Sequence, residues 1–167
     1  DLAKTVGRTL MPVFQYRFGH GLAQARRIVE SGAAGKVYVT SIETHWTRGA
    51  GYYAVPWRGK AATELGGVYL GHAIHVHDML SELVGPVASV SAATRVRVNA
   101  IETEDCGGVL FEMADGSTAT SSATLGSADE ITRFRMVCEN LTMISNLSPY
   151  EPDRAPWTFL PKAPRDD

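Results

Sequence analysis

The sequence predicts an α+β fold, in which an open, mostly antiparallel (mixed) β-sheet carries its helices on one face. Two observations support this fold class: helical periodicity is confined to the first half of the chain, and strand-like runs fill the second half. A third is the Asp115-Gly116 pair between two of those runs, which is a strong hairpin signal. Helices that cluster early and strands that cluster late favour this class over one in which the two alternate.

The first half of the chain contains the predicted helices and two predicted strands. The elements are the end of a helix over 1–9, a strand over 10–18, a helix over 20–31, a strand over 36–46, a loop over 47–65 and a helix over 66–84. One-sided apolar spacing predicts the helices, whereas alternating or β-branched and aromatic residues predict the strands. Gly32 or Gly35 ends the first full helix, and Gly85-Pro86 ends the second.

The second half contains four further predicted strands. Apolar runs place them over 87–98, 106–113, 117–125 and 132–144. Five of the eight prolines fall in 147–167, which predicts an irregular segment. We therefore expect one domain over 1–146, followed by a proline-rich tail over 147–167.

Composition and charge exclude several classes of protein. The chain has 167 residues, of which 44% are apolar and 20% charged, as is typical of one soluble globular domain. A net charge of −2 favours neither nucleic acid nor an anionic membrane surface, and no apolar run approaches the roughly 18 residues of a membrane span. Cys106 and Cys138 lie far apart in strand-like runs, so we expect two buried reduced thiols and a cytoplasmic protein.

The rest of the chain is organised around residues 64–78, which contain three of the five histidines. Gly66 and Gly67 open this segment and let a substrate or another backbone approach closely, because they lack a Cβ. His72 and His75 are three residues apart, so we expect their side chains to share a helix face. This arrangement predicts a pocket into which an imidazole points. His75 is our candidate for exchanging a proton with a substrate hydroxyl.

Metal binding is an alternative role for the histidines. His72 and His75 share a predicted face, but His77 points elsewhere, and no cysteine or acidic spacing completes a zinc pattern. We therefore expect no metal site.

The loop before the histidine segment is rich in aromatic rings and guanidinium groups. Its candidate substrate-binding residues are Trp46, Arg48, Tyr53, Trp57 and Arg58. Sugars and polyols bind well to apolar ring faces combined with planar hydrogen-bond donors. The alternative is a loop packed over the sheet edge, with Arg58 paired to an acid such as Glu64, and both descriptions can hold together.

Two other patterns receive a structural interpretation. Gly19-His20-Gly21 follows a predicted strand and opens a helix, as in a dinucleotide fingerprint, but Gln24 occupies the third glycine position. We therefore do not expect a nucleotide site there. Glu102, Glu104 and Asp105 form a short acidic cluster between strands, which we interpret as a solvated turn.

The order of these pieces resembles the C-terminal domain of the glucose–fructose oxidoreductase / inositol dehydrogenase (Gfo/Idh/MocA) family. No single piece is specific, but the joint order and spacing are. The matching segments cover nearly the whole chain and are Gln15-Tyr16-Arg17-Phe18, Gly35-Lys36-Val37, Trp46-Thr47-Arg48-Gly49, Tyr53, Trp57-Arg58-Gly59, Glu64-Leu65-Gly66-Gly67, Ile74-His75, Asp78, Gly85 and Thr103-Glu104-Asp105.

The resemblance implies an N-terminal Rossmann domain that binds NAD or NADP in full-length members, followed by this α/β domain. The sheet of such a domain forms the substrate wall and commonly the oligomer interface. The enzymes oxidise or reduce a sugar or polyol hydroxyl by hydride transfer, and a Rossmann-half lysine and the histidine matching His75 handle the hydroxyl proton. The resemblance also implies that Arg17 and His72 contact the substrate. It further implies that the cofactor is contacted by Lys36, Gly66 and Gly67.

The sequence departs from the family pattern in several ways. Gly71 stands where the family often has Asp, so the usual triad is incomplete unless His72 replaces it. Leu65 stands at the first of three usual glycines. The Rossmann half is absent from these residues and the closing elements are truncated, so we expect the domain to be inactive alone.

Three hypotheses follow. The first is the substrate-binding domain of an NAD(P)-dependent sugar or polyol oxidoreductase, which predicts that the gene encodes a Gly-rich nucleotide-binding segment ahead of Asp1. The second is a stand-alone domain that dimerises and binds a ligand or partner protein without catalysis. The third, a metal-dependent lyase or hydrolase, predicts stoichiometric zinc or manganese. We also expect homo-oligomers, because a bare apolar sheet face favours association.

Overall fold

A seven-stranded mixed sheet forms the body of the molecule in a computed structural model, which describes residues 2–163. The strands are β1 (Val37–Thr47), β2 (Val87–Arg95), β3 (Cys106–Met113), β4 (Thr118–Thr124), β5 (Gly126–Cys138), β6 (Leu141–Ile144) and β7 (Thr158–Pro161). Their spatial order is β2-β3-β4-β1-β5-β6-β7. β1 and β4 pair in parallel, and the other neighbouring strands pair antiparallel. The predicted fold class is therefore confirmed.

All helical elements in the described residues lie before β2 in the chain, and two of them are not α-helices. The α-helices are α1 (Leu2–Thr5), α2 (His20–Glu30), α3 (Ala50–Tyr53), α4 (Ala61–Glu64) and α5 (Ile74–Leu83). A 3₁₀-helix covers Gln15–Phe18, and a π-helix covers Tyr69–Ala73. None of the helices in the described part of the chain is long and apolar enough to cross a membrane.

The core lies between one face of the sheet and the helices α2 and α5. α5 buries Val76, Met79, Leu80 and Leu83, a spacing that places all four side chains on one helix face. In β1 the buried side chains, Thr40, Ile42, Thr44 and Trp46, alternate with more exposed ones. The helices and the histidine segment therefore lie on the same face of the sheet as Trp46.

The opposite sheet face is open and carries small or polar side chains. A shallow concavity of about 700 Å³ on this face is lined in part by Ser41, Thr120 and Ser122. Glu43 Oε1 accepts a hydrogen bond from Arg133 Nη2 at 2.6 Å across the same surface. The prediction of a bare apolar open face is wrong in part, because the exposed Leu110 lies there among hydroxyl-bearing side chains and the Glu43–Arg133 ion pair.

The strand predicted over 10–18 is wrong. Residues Gln15–Phe18 form the 3₁₀-helix, and Leu10, Met11 and Val13 are exposed. A strand requires a neighbour that accepts its backbone hydrogen bonds. The edge strands of the described sheet are β2 and β7, and neither pairs with residues 10–18. The alternating side chains of this segment therefore do not produce a strand.

The run over 132–144, predicted as one strand, is two strands. β5 and β6 pair with each other around Glu139 and Asn140. Asn140 Nδ2 donates to the carbonyl of Ala33 at 3.1 Å, and Glu139 Oε2 accepts from the Lys36 amide at 3.1 Å. These polar side chains bind the segment before β1, which favours a turn over a continuous strand.

The tail over 147–167 is not irregular throughout, so that prediction is also wrong in part. It contains β7, which pairs with β6, and the buried side chain of Trp157. Trp157 packs against Gly21, where a Cβ would overlap the indole ring. The Leu22 amide also donates to the carbonyl of Asp153 at 2.9 Å. The Gly-x-Gly sequence therefore makes room for the tail; residues 164–167 lie outside the described residues.

The Asp115-Gly116 hairpin is confirmed. Gly116 has a φ of +87°, and the Asp115 carboxylate accepts hydrogen bonds from the Ser117 amide at 2.9 Å and the Ser117 hydroxyl at 2.7 Å. The two cysteines differ from each other: Cys138 is buried as predicted, whereas Cys106 is only half-buried because it lies at the end of β3.

Candidate active site

The π-helix over Tyr69–Ala73 leads into α5 and sets the directions of the two candidate histidines. A π-turn closes i→i+5 hydrogen bonds, so each residue rotates less about the helix axis than in an α-helix. His72 lies in this turn and contacts Trp46, while His75 lies in the first turn of α5 and contacts Tyr16. The two imidazoles lie close enough for His75 to contribute to the lowered pKa of His72, and whether their side chains share one face stays a prediction. π-turns are frequent at functional sites, which favours this segment as the candidate site.

His75 is a half-buried, neutral imidazole. Its ring centroid lies 5.4 Å from that of Tyr16 and 6.0 Å from that of Phe14. Burial lowers the pKa of His75, and the nearby Asp78 carboxylate opposes that shift only in part. Nδ1 is buried without a hydrogen-bond partner among the described residues, so a ligand can reach this ring only at Nε2.

His72 is buried beside the aromatic loop. Its ring meets Trp46 edge-on with centroids 5.3 Å apart, and its Nε2 lies 3.4 Å from the hydroxyl of Tyr52. Burial, followed by the positive charges of Arg48 and Arg58, lowers the pKa of His72 to about 4. The imidazole is therefore uncharged at neutral pH.

Arg48 is the centre of an aromatic and charged cluster next to His72. Its guanidinium carbon lies 5.1 Å from the ring centroids of both Trp46 and Tyr52. Nη1 forms an ion pair with Glu130 at 2.9 Å, and Nη2 donates to the hydroxyl of Tyr150 at 2.9 Å. Sequence reasoning missed Tyr150, because it lies in the tail and no local pattern connects it with β1.

Arg58 stacks on aromatic rings instead of pairing with an acid. Its guanidinium carbon lies 3.7 Å from the ring centroid of Tyr52 and 4.6 Å from that of Trp57. The alternative in which it pairs with Glu64 is wrong, since no such ion pair occurs within residues 2–163 and the Glu64 carboxylate instead accepts the Gly59 amide. The loop is thus a stacked surface, with about half of Trp57 exposed.

Tyr53 lies on the inner side of the same loop. Its ring meets that of Tyr52 edge-on with centroids 5.1 Å apart. Burial, together with the charges of Glu64 and Asp105, raises the pKa of Tyr53 to about 12. The phenol therefore stays protonated and can act as a hydrogen-bond donor.

Arg17 joins the 3₁₀-helix to α5. It donates to both carboxylate oxygens of Asp78, at 2.7 Å from Nε and 2.6 Å from Nη2, and its Nη1 lies 3.1 Å from Glu82. The hydrogen bond that Arg17 donates to Asp78 raises the pKa of Arg17. Arg17 thus supports the helix that carries His75, and its contact with substrate stays a prediction.

The predicted cofactor residues do not form a nucleotide cradle within this chain. A Cβ at Gly67 would overlap the carbonyl oxygen of Glu104, so another backbone already fills that space. Lys36 lies before β1, at the opposite end of the sheet from Glu104, which precedes β3. A Cβ at Gly66 would crowd Leu70 at 2.8 Å. Lys36 therefore lies apart from the two glycines, and the contact of these residues with a cofactor stays a prediction.

Leu65 and Gly71 are the two single-residue departures from the family pattern. Leu65 has a φ of +67°, the left-handed region that glycine occupies without strain. Its side chain is 79% exposed, so the leucine is not retained for packing within the described residues. Gly71 is exposed, with open space where a Cβ would lie, so no local crowding requires glycine there.

The interpretation of the acidic cluster as a solvated turn is wrong in part, because Glu102 is exposed whereas Asp105 is structural. Asp105 is fully buried and accepts hydrogen bonds from the amides of Arg97, Val98 and Asn99 at 2.7–3.0 Å. Burial raises the pKa of Asp105, but the three amides outweigh it and hold the pKa below its usual value. The neighbouring Glu104 carboxylate accepts the Tyr69 amide at 3.2 Å and thereby fastens the start of the π-helix.

His77 is partly buried between α5 and the sheet. Its Nε2 lies 2.9 Å from Ser121 Oγ, and its ring stacks on Tyr69 with centroids 5.9 Å apart. Burial lowers the pKa of His77 to about 4. Within residues 2–163, no group of three His, Cys, Asp or Glu side chains is arranged to hold a metal ion.

Comparisons with known proteins match both the fold and the order of these elements. Residues 22–144 match the model of the GFO/IDH/MocA C-terminal domain. The WlbA dehydrogenase from Bordetella pertussis, solved in complex with NADH and UDP-GlcNAcA, is 30% identical with a TM-score of 0.80, over 85% of this chain and 45% of that one. No curated protein sequence matches the chain.

Two more distant structures share the fold. The WlbA dehydrogenase from Chromobactrium violaceum is 24% identical with a TM-score of 0.82, over 98% of this chain and 47% of that one. Levoglucosan dehydrogenase, in complex with NADH and levoglucosan, is 19% identical with a TM-score of 0.74, over 90% of this chain and 46% of that one. The chain thus spans less than half the length of these structures. Since the family model covers most of its residues, the chain belongs to the GFO/IDH/MocA family, of which it is a C-terminal domain.

Proposed function

We propose that this chain is the substrate-binding domain of an NAD(P)-dependent oxidoreductase that acts on a sugar or polyol hydroxyl. The observation that carries the proposal is a pair of neutral imidazoles, His72 and His75, on one helical segment beside an aromatic and guanidinium-lined loop. Similar folds occur in dehydrogenases solved with NADH and a sugar. The same family membership supports a nicotinamide cofactor, either NAD or NADP.

The aromatic loop supplies the surface on which a sugar ring would rest. The half-exposed ring of Trp57 would contact the apolar face of a pyranose, and the guanidinium of Arg58, stacked on Trp57 and Tyr52, offers planar hydrogen-bond donors beside it. The Tyr53 phenol adds a donor that stays protonated. These groups position a hydroxyl near the helix that carries the histidines.

His75 handles the hydroxyl proton in this proposal. A neutral imidazole accepts a proton at its unprotonated nitrogen, and the accessible nitrogen of His75 is Nε2. Accepting a proton at Nε2 requires the neutral ring to carry its own proton on Nδ1. Because Lys36, Gly66 and Gly67 form no cradle here, we assign cofactor binding to a nucleotide-binding domain outside this chain, and we expect the chain alone to be inactive.

The test is the substitution His75→Ala in the whole protein that carries this domain. We expect kcat to fall by roughly 10²–10⁴-fold, since general acid–base groups contribute that much, while the affinity for the cofactor stays unchanged. Steady-state kinetics with a panel of sugars and fluorescence titration of NADH measure both. The matched control is His20→Ala, which removes an exposed histidine at the start of α2. Unchanged turnover in His75→Ala would end this assignment.

We also propose that the open sheet face joins copies of the chain. Support comes from its small side chains at Ser41, Thr120 and Ser122, which let a second sheet approach closely, and from the shallow concavity that they line. This surface also serves the alternative function, a stand-alone domain that dimerises and binds a ligand without catalysis. The His75→Ala experiment separates the two, because only the oxidoreductase requires that imidazole.

A further inference from the structure

We propose that the substrate of this site carries an anionic group, a carboxylate or a phosphate, which Arg58 binds. The inference rests on the proposed function, because it specifies the substrate of the same site. Arg58 qualifies because its guanidinium is held in place and is still without an acidic partner.

Two aromatic rings hold the Arg58 guanidinium. Its central carbon lies 3.7 Å from the ring centroid of Tyr52 and 4.6 Å from that of Trp57. Stacking uses the flat faces of a guanidinium and leaves its N–H groups, which lie in the plane, free to donate. The cation is therefore oriented before any ligand arrives, which reduces the entropy lost on binding.

The donors of Arg58 are unused among residues 2–163. No side-chain hydrogen bond or ion pair joins Arg58 to another described residue, and its nitrogens are not buried. The nearby Arg48 differs, since Glu130 neutralises it at 2.9 Å. Glu64 is the carboxylate that lies close in sequence, but it accepts the Gly59 amide instead.

The charge of Arg58 acts on the catalytic side of the site. After burial, the charges of Arg48 and Arg58 are the main causes that lower the pKa of His72. The charge of Arg58, which has no acidic partner among residues 2–163, therefore acts on His72 in the π-helix. A planar guanidinium with free donors binds carboxylates and phosphates through paired, charge-assisted hydrogen bonds. An anionic substituent on the sugar supplies the missing partner, whereas a neutral sugar leaves the charge unmatched.

The experiment compares three sugars on the whole protein that carries this domain. Isothermal titration calorimetry measures the Kd of glucuronate, glucose 6-phosphate and glucose, which share a ring and differ in charge. We expect at least one of the two anions to bind ~10–100-fold more tightly than glucose, as charge-assisted hydrogen bonds allow. The two anionic arms identify whether the group is a carboxylate or a phosphate.

Two variants assign that preference to Arg58. Arg58→Gln should bring the Kd of the preferred anion to within about twofold of that of glucose, because a neutral amide gains little from the charge. Arg27→Gln removes an equal charge from the exposed side of α2 and should keep the preference. The ratio of the two Kd values is taken from the same preparation, so it does not depend on how much of the variant is folded.

The outcomes separate this inference from the proposed function. Equal affinity for all three sugars, or a preference that survives Arg58→Gln, overturns the anionic substrate and leaves a neutral sugar site standing. Binding of none of the three at tens of millimolar overturns both, because the loop is then not a sugar surface.

Discussion

At the scale of single residues, the positions that looked like ligand contacts are often backbone contacts. Gly67 lies against Glu104, whose carbonyl accepts the Val68 amide at 2.8 Å. Gly21 likewise lies under Trp157. A missing Cβ permits a close approach, but the sequence does not say whether a substrate or another part of the chain makes it.

Gly67→Ala should destabilise the domain, because the added methyl would overlap the carbonyl of Glu104. Overpacking of this kind costs about 1–3 kcal/mol, and the hydrogen bond from Val68 would be weakened as well. Urea denaturation followed by tryptophan fluorescence measures the change. The control is Gly71→Ala, where the Cβ enters open space and should change the free energy of unfolding by less than about 1 kcal/mol. Equal stability of the two variants would contradict the close contact at Gly67.

At the scale of elements, the π-helix carries His72 and α5 carries His77, and folding removes much of each imidazole from solvent. His72 faces the aromatic loop and His77 faces the sheet, and the pKa of each is lowered to about 4. An unfolded chain binds these protons near the ordinary histidine pKa of about 6.5. The folded state is therefore stabilised above that value by excluding the protons, and it loses this stability as the pH falls toward 4.

This linkage predicts a fall in stability between about pH 6.5 and pH 5, above the range in which most carboxylates titrate. His77→Gln keeps a polar group near Ser121 but does not titrate, so its unfolding free energy should vary less with pH in that window. Urea denaturation at a series of pH values tests this. In the control, His20→Gln, the free energy of unfolding should vary with pH as it does in the wild type. If the free energy of unfolding of His77→Gln varied with pH in parallel with the wild type, the pKa of His77 would not be lowered by folding.

The tail over 147–167 contributes to the folded structure, although its five prolines predicted an irregular segment. Trp157 is buried, its Nε1 donates to the carbonyl of Pro152 at 2.8 Å, and its ring lies 6.1 Å from that of Phe134. Tyr150 in the same segment reaches Arg48. The tail therefore connects α2, the sheet and the candidate site.

Trp157→Ala should lower the free energy of unfolding by about 3–5 kcal/mol, since it removes a buried aromatic side chain and leaves a cavity. Thermal and urea denaturation measure the loss. Leu160→Ala, on β7 next to it, truncates a half-exposed side chain and should cost less than about 1 kcal/mol. A small effect of Trp157→Ala would mean that the tail does not stabilise the fold.

At the scale of the whole molecule, the sheet separates two surfaces with different roles. The helix-bearing face carries the histidines and the aromatic loop, whereas the open face carries small polar residues and the Glu43–Arg133 pair. This separation allows the open face to bind another copy without blocking the candidate site.

Thr120→Arg tests the proposed oligomer. Thr120 lies on β4, opposite Ser41 of β1 and Leu110 of β3, at the middle of the open face. We expect the wild-type protein to sediment as a dimer or larger and the variant as a monomer, because an arginine there separates the two sheets. The control is Gln24→Arg on the exposed side of α2, which should keep the wild-type sedimentation coefficient. A wild-type monomer at high concentration would rule out this surface.

Sequence reasoning succeeded where the determinants are local. The helix predicted over 20–31 and the strand predicted over 106–113 match His20–Glu30 and Cys106–Met113, because side-chain periodicity within each segment decides them. The Asp115-Gly116 turn is local in the same sense. The family assignment also came from the chain, through the order and spacing of short segments, and residues 22–144 confirm it.

The tertiary structure decided what depends on distant partners. The parallel pairing of β1 with β4, the arrival of Tyr150 beside Arg48 and the burial of Trp157 join residues that are far apart in sequence. The contacts of His72 with Trp46 and of His75 with Tyr16 likewise join residues that are distant in sequence. The sequence by itself therefore determined the fold class, the family and which histidines to consider, since these follow from local patterns. Which groups meet in the site follows from long-range packing and hydrogen bonding, and only the folded chain determines those.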